Sequence, residues 1–128
     1  MDFTNYLADR LVKATVGNVA WTTPEKVYLA LYTADPTKAG FSSNEVLAPS
    51  YNRQEITFTP PLDGVSVNAS QIDFNTATSN WGNVGWVSIT DSSSGGFMLY
   101  FAGLDDPKTI LSGDQFKIDA GKLQLTLT

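Results

Sequence analysis

The hydrophobic period of this chain changes once, and that single change limits the fold more than any individual residue does. Over residues 1–17, Phe3, Leu7, Leu11 and Ala14 recur at helical spacing while Asp9, Arg10 and Lys13 fill the other face. The pattern predicts one amphipathic helix of about three turns, with Asp2 or Thr4 capping its start and Gly17 supplying a left-handed stop. Its apolar stripe is narrow, so the helix needs a surface to lie against, either its own sheet or a neighbouring subunit. After Pro24 the period becomes 2. Val27, Leu29 and Leu31 alternate with Tyr28, Ala30 and Tyr32 across Lys26 to Tyr32, which predicts a strand apolar on both sides and therefore central.

A weakly patterned stretch follows from Thr33 to Ser50, holding Pro36, Gly40, Ser42-Ser43, Asn44 and Pro49. It is too long for an ordinary connection and reads as either a surface loop or an arm that reaches a neighbour. Further strands are expected at Arg53 to Phe58, ended by Pro60-Pro61, and at Ser66 to Phe74, with a break at Asn68 to Ser70. Val84 to Thr90 and Phe97 to Leu104 flank Asp91-Ser92-Ser93-Ser94-Gly95-Gly96, a hairpin loop by composition. Phe116 and Ile118 are expected to meet Leu123, Leu125 and Leu127 in a second hairpin across Asp119-Ala120-Gly121. Short runs with frequent turn signals predict a mainly β fold, an antiparallel β-sandwich of jelly-roll-like or immunoglobulin-like kind with one N-terminal helix. Without repeat or linker, residues 1–128 read as a single domain: helix 1–17, sandwich 24–128, loop or arm 33–50. Lys122, Gln124 and Thr126 make one face of the last strand polar, yet that strand has no proline and little charge. Pairing with another copy would cover its edge.

Composition then removes whole classes of function. The chain has no histidine and no cysteine, which excludes Ser-His-Asp and Cys-His nucleophilic catalysis, thiolate chemistry, disulfides and the usual zinc sites. Eight Lys and Arg against thirteen Asp and Glu give a formal charge of −5, so bare nucleic acid and anionic membranes are not expected partners. The start, Met1-Asp2-Phe3-Thr4-Asn5, has neither a basic nor an apolar leader region, and no segment approaches the length of an apolar membrane span. The expectation is a chain without signal or membrane segment.

Few residues are left to carry chemistry. Asp105-Asp106 before Pro107, Asp114 after Ser112-Gly113, and Asp119 before Gly121 all sit where aspartate accepts backbone hydrogen bonds in turns. Nothing fixes a carboxyl pair for acid–base work, and the alternating acidic spacing of a calcium loop is missing. The glycines at 82, 85, 95 and 96 lack a phosphate-loop lysine. No catalytic residue, cofactor or metal is therefore expected. Trp86 reads as core, whereas Trp81, between Ser79-Asn80 and Gly82, reads either as packed or as partly exposed for a subunit or glycan contact. Arg53 stands out in Ser50-Tyr51-Asn52-Arg53-Gln54-Glu55. It is read either as part of a cross-strand ion pair on the face it shares with Glu55, or as a bidentate clamp on a carboxylate of a neighbouring loop.

The segments WTTPEKVYLALYTADPTKAG, SYNRQEITFTPP, QIDFNTATSNWGNVGWVSITDSSSGG and SGDQFKIDAGKLQLTLT, in that order, resemble a family of small virion proteins of tailed bacteriophages. Members are labelled tail fibre or minor tail proteins, and similar small β-rich proteins serve as capsid cement, or decoration, proteins. The resemblance spans nearly the whole chain and implies a structural protein with no catalytic residue. Fibre shafts show heptads or β-repeats, and this chain shows neither, which suits a cap, an adaptor or a surface plug. The leading expectation is a cement protein on the capsid exterior, binding the major capsid protein and copies of itself. A tail fibre or tail-associated adaptor, in contact with host glycans, is the alternative. Contacts are expected at the helix face of Phe3, Leu7 and Leu11, in the 33–50 arm, and at Tyr51, Arg53 and Trp81.

Overall fold

The structure, a computed structural model, describes residues 1–127. The chain runs through β1 (Asp2–Phe3), α1 (Asn5–Thr15), β2 (Val27–Tyr32), β3 (Gln54–Ile56), β4 (Val65–Val67) and β5 (Ile72–Asp73). It continues through β6 (Gly82–Thr90), β7 (Met98–Ile110), β8 (Lys117–Ile118) and β9 (Gln124–Thr126). Five strands form one antiparallel sheet in the order β1-β7-β6-β2-β3, and two small antiparallel pairs, β4-β9 and β5-β8, stand apart from it. The mainly β, antiparallel, sandwich-like fold with an N-terminal helix is thus the one the periodicity predicts.

The two-sided apolar pattern of β2 has a direct cause. Leu29 and Leu31 enter one buried cluster together with Ile72, Phe74, Phe116 and Leu123 from the small pairs and their flanks. Ala30 and Tyr32, on the opposite side by strand alternation, enter a second cluster with Met98 and Phe101. The small pairs therefore cover one face of the main sheet. The other side is closed by the start of α1 and by the loop after β2. A Cβ on Gly40 would lie 3.5 Å from Met98 and 3.7 Å from Thr4, so the loop passes close over both.

Thr4 is the helix cap. Its hydroxyl accepts from the Leu7 amide at 3.3 Å and donates to the Met98 carbonyl at 2.7 Å, fastening the helix start to β7. Asp2 lies in β1 instead. Helix termination differs from expectation too. Gly17 has an ordinary φ, and Asn18 takes the left-handed turn at φ 55°. Gly17 is needed for space, because a Cβ there would sit 3.0 Å from the Lys13 backbone. Of the predicted stripe only Leu7 is fully buried, and residues 12–20 are all exposed.

Two turn assignments are corrected. Asp105-Asp106-Pro107 lies inside β7, within a bulge where β7 advances from Gly103 to Lys108 while β6 advances only from Trp86 to Val84. A bulge leaves residues unpaired, so the missing N–H of proline is no loss there. The second expected hairpin does not form. β8 pairs with β5 and β9 with β4, and the chain turns a corner between them. Asn68, 1% exposed, holds that corner. Its Nδ2 donates to the carbonyls of Ser70 and Asp119 at 2.9 and 3.0 Å, and its Oδ1 accepts from the Leu123 amide at 2.9 Å. Its own amide donates to Leu123 O at 3.1 Å, and its carbonyl accepts from Gly121 at 3.0 Å. The break predicted at Asn68 to Ser70 is real, and this network is its purpose.

Candidate functional site

The Thr33 to Ser50 stretch is neither strand nor free arm. Pro36 and Val46 are buried, the Asn5 amide donates to Lys38 O at 2.8 Å, and the Val46 amide donates to Leu31 O at 2.9 Å. A single bridge joins Tyr32 to Glu45. That bridge delivers Glu45 to Arg53, which stands just before β3. Arg53 Nε and Nη2 donate to the two Glu45 oxygens at 2.8 Å each, a bidentate pair with side chains only 7% and 17% exposed. Nη1 crosses to the serine hairpin and donates to Ser92 O and Gly95 O, both at 2.8 Å. The clamp on a loop carboxylate is therefore the arrangement present. Glu55 pairs instead with Lys26 at 3.4 Å on the exposed edge, because β3 directs its backbone register to Tyr28 and leaves Glu55 in solvent.

Tyr51 completes the cluster. Its hydroxyl donates to Glu45 Oε2 at 2.6 Å and accepts from the Leu31 amide at 3.1 Å, while its ring packs edge-on to Trp81 and parallel to Phe74. Burial, and then the hydrogen bond to the Glu45 carboxylate, push the Tyr51 hydroxyl well above the ordinary tyrosine range. The same carboxylate, by hydrogen bonding, raises the Arg53 guanidinium. Every charged group here thus holds the loop, the sheet and the hairpin together. A shallow groove of about 280 Å³ runs beside it, lined by Glu45, Leu47, Tyr51, Asn52, Arg53 and the Ser93 to Gly95 tip.

The expected contact residues divide accordingly. Trp81 is 5% exposed, its Nε1 donating to Ser50 Oγ at 3.2 Å, so the packed reading is the one present. Leu7, 2% exposed, faces its own sheet and offers no surface to a partner. Phe3 is half-buried beneath the Lys38 ammonium, 4.8 Å from its ring, and Leu11 is half-buried. Tyr51 and Arg53 border the groove but are committed to Glu45. Among the described residues no group of His, Cys, Asp or Glu side chains is arranged to hold a metal.

The surface that is available lies elsewhere. Leu47 is 99% exposed at the rim of the groove, Val16 82%, Leu62 75% and Phe41 60%. Phe97 leaves the hairpin and stacks on Tyr6 of α1 at 4.2 Å, with Arg10 over the other ring 5.1 Å away. Sequence reasoning missed Val16, Leu62 and Phe97, whereas Phe41 and Leu47 lie in the 33–50 arm where contacts were expected. Phe97 was not legible, because it precedes β7 and the bulge at Leu99 sets Met98 on the side of Phe101. Within that arm Leu47 carried no signal of its own, lying in the apolar run Val46-Leu47-Ala48.

No curated protein matches this chain. A family model described as Podophage GP4 fiber I protein gp80 matches residues 2–126, a span that takes in the helix, both small pairs, the main sheet and the Arg53 cluster. The chain belongs to that family, and so to the fibre-type virion proteins of tailed phages.

Proposed function

We propose that the protein is a tail fibre component or a fibre-associated adaptor, whose work is attachment to other virion proteins and to copies of itself rather than catalysis. The family match over residues 2–126 carries this reading, because the family's description names a fibre protein. It moves the preference away from capsid cement, the leading expectation from the sequence, to the tail alternative. The absence of heptads or β-repeats supports an adaptor or tip over a shaft. Exposed Leu47, Val16, Leu62 and Phe41 supply apolar contact points spread around the body, and net negative charge suits partners that are protein rather than DNA.

The test is imaging of purified virions decorated with gold-labelled antibody to the chain, joined to densitometric copy number. Label confined to the tail, with far fewer copies than the shell has subunits, is the expected result. Label spread over the head at near-lattice stoichiometry would return the protein to the capsid exterior.

A further inference from the structure

The outer edge of β9 is unclaimed. Inside the chain β9 pairs only with β4, in the register Val65 to Thr126, Ser66 to Leu125 and Val67 to Gln124. The Leu127 amide donates to Gly64 O at 3.0 Å, and Leu123 O accepts from Asn68 at 3.1 Å. These bonds fix the alternation: Leu123, Leu125 and Leu127 turn their backbone groups to β4, and Gln124 and Thr126 turn theirs outward. Among the described residues no strand takes those two N–H and two C=O groups. Nor is the edge blunted in any usual way, since residues 123–127 contain no proline, no charge and no left-handed backbone.

The edge is complementary to itself. Two copies related by a two-fold axis at Leu125 set Gln124 of one against Thr126 of the other. Each such pair exchanges both N–H···O bonds, so all outward groups are satisfied. Leu125 meets its own counterpart as the close, non-hydrogen-bonded pair, with Cα atoms about 4.5 Å apart. On the solvent face Gln124 Nε2 already donates to Thr126 Oγ1 at 3.2 Å within one chain, and the same two groups face each other across the axis. On the inner face Leu125 and Leu127 line an apolar groove of about 190 Å³ with Pro61, Ser66 and Tyr100. Edge pairing runs the grooves of both copies together. We infer that β9 joins a second copy of this chain edge to edge, giving a continuous antiparallel sheet β4-β9-β9-β4 about a two-fold axis.

This deepens the self-association included in the proposed function, and its test is read in solution, so antibody label on the head would leave it standing. Sedimentation of the full chain across a concentration series should show mass doubling with concentration. The amides of Gln124 and Thr126 should gain protection from hydrogen exchange in step with it. The chain has no cysteine, so single-cysteine variants report the register. Leu125→Cys should give a covalent dimer on mild oxidation, because the pair lies within disulfide reach. Gln124→Cys should not, because its counterpart is a diagonal neighbour about 7–8 Å away. Thr126→Pro, which removes one outward donor, should return the mass to monomer. A monomer or trimer at every concentration, free exchange of the Gln124 and Thr126 amides in a dimer, or equal cross-linking at 124 and 125 would each overturn the inference. The mass and exchange measurements use the unaltered chain and stand even if a variant fails to fold.

Discussion

Replacing Arg53 with alanine isolates the element that locks three segments together. The substitution strips Glu45 Oε1 of its partner and leaves Oε2 with the Tyr51 hydroxyl alone, in a side chain that is only 17% exposed. Ser92 O and Gly95 O also lose a donor, but they belong to an open hairpin that water reaches. The dominant loss is the stranded carboxylate, for which breaking a buried pair costs about 3–5 kcal/mol. Against a typical stability of about 5–15 kcal/mol this is a large fraction, and it corresponds to a drop in Tm on the order of 10 °C. Urea unfolding followed by tryptophan fluorescence reads it directly, since Trp81 packs on Tyr51. Arg53→Lys should recover little, because an ammonium does not reproduce the fork that reaches both Glu45 oxygens and the hairpin. Removing both partners, Arg53→Met with Glu45→Leu, should be less damaging than Arg53→Ala, giving a coupling energy of about 2 kcal/mol or more. A cost below about 1 kcal/mol for Arg53→Ala, or zero coupling, is the behaviour of a solvated surface pair. Either result would refute the assignment of this cluster as a lock.

Asn68→Ala removes three side-chain hydrogen bonds of a buried residue and orphans the Leu123 amide. It should cost about 3–4 kcal/mol in a thermal or urea melt, and exchange at Leu123 should accelerate. In the serine hairpin Gly95 and Gly96 both have positive φ, but a Cβ meets nothing at 95 and strikes Asp91 and Ser92 at 96. Gly95→Ala should therefore lose about 1–2 kcal/mol, and Gly96→Ala measurably more in the same melt. Burial raises the hydroxyls of Tyr51, Tyr32 and Tyr100 above the ordinary value of 10.0. The folded state then holds these protons more tightly than the unfolded one, so their contribution is intact below pH 10 and drains away above it. The slope is about 1.4 kcal/mol per pH unit for each tyrosine. Tyr51→Phe should lower stability at neutral pH by leaving the Leu31 amide without its partner, and should flatten the alkaline slope by one proton in urea titrations above pH 10.

What the sequence disclosed and what it hid divide along the range of the interactions. The period change from 3.6 to 2, the two-sided β2 and the serine hairpin are local signals, and each reappears in the structure at nearly its expected bounds. The pairing of β8 and β9 was not legible. A short turn between two apolar runs reads as a hairpin unless something distant competes, and the competitor is Asn68, about fifty residues away in sequence and indistinguishable there from any loop asparagine. The Arg53 cluster was half legible. Tyr51 and Arg53 announce themselves at a strand opening, but their acceptor Glu45 sits in a stretch without pattern, brought near by one bridge to Tyr32.

The distribution of free surface follows from the same packing. The main sheet covers one face with the small pairs and part of the other with the helix start and the loop after β2, while residues 105–109 of β7 stay exposed. Its two outer strands, β1 and β3, are only two and three residues long and give little to pair with, and beyond Phe101 the strand neighbour of β7 is β6. Further attachment points lie off that sheet. The candidates are the exposed apolar side chains on loops, the helix end beyond Leu11, and the open edge of β9. Loops and helix ends give contacts whose partner must be shaped to them, whereas a strand edge offers main-chain groups that its own copy already matches. A fibre-type protein needs both kinds of contact, one to join its copies and another to fix them on the virion. In this chain the two kinds occupy different elements, so Thr126→Pro should abolish self-association while leaving the Leu47 and Val16 surfaces unchanged.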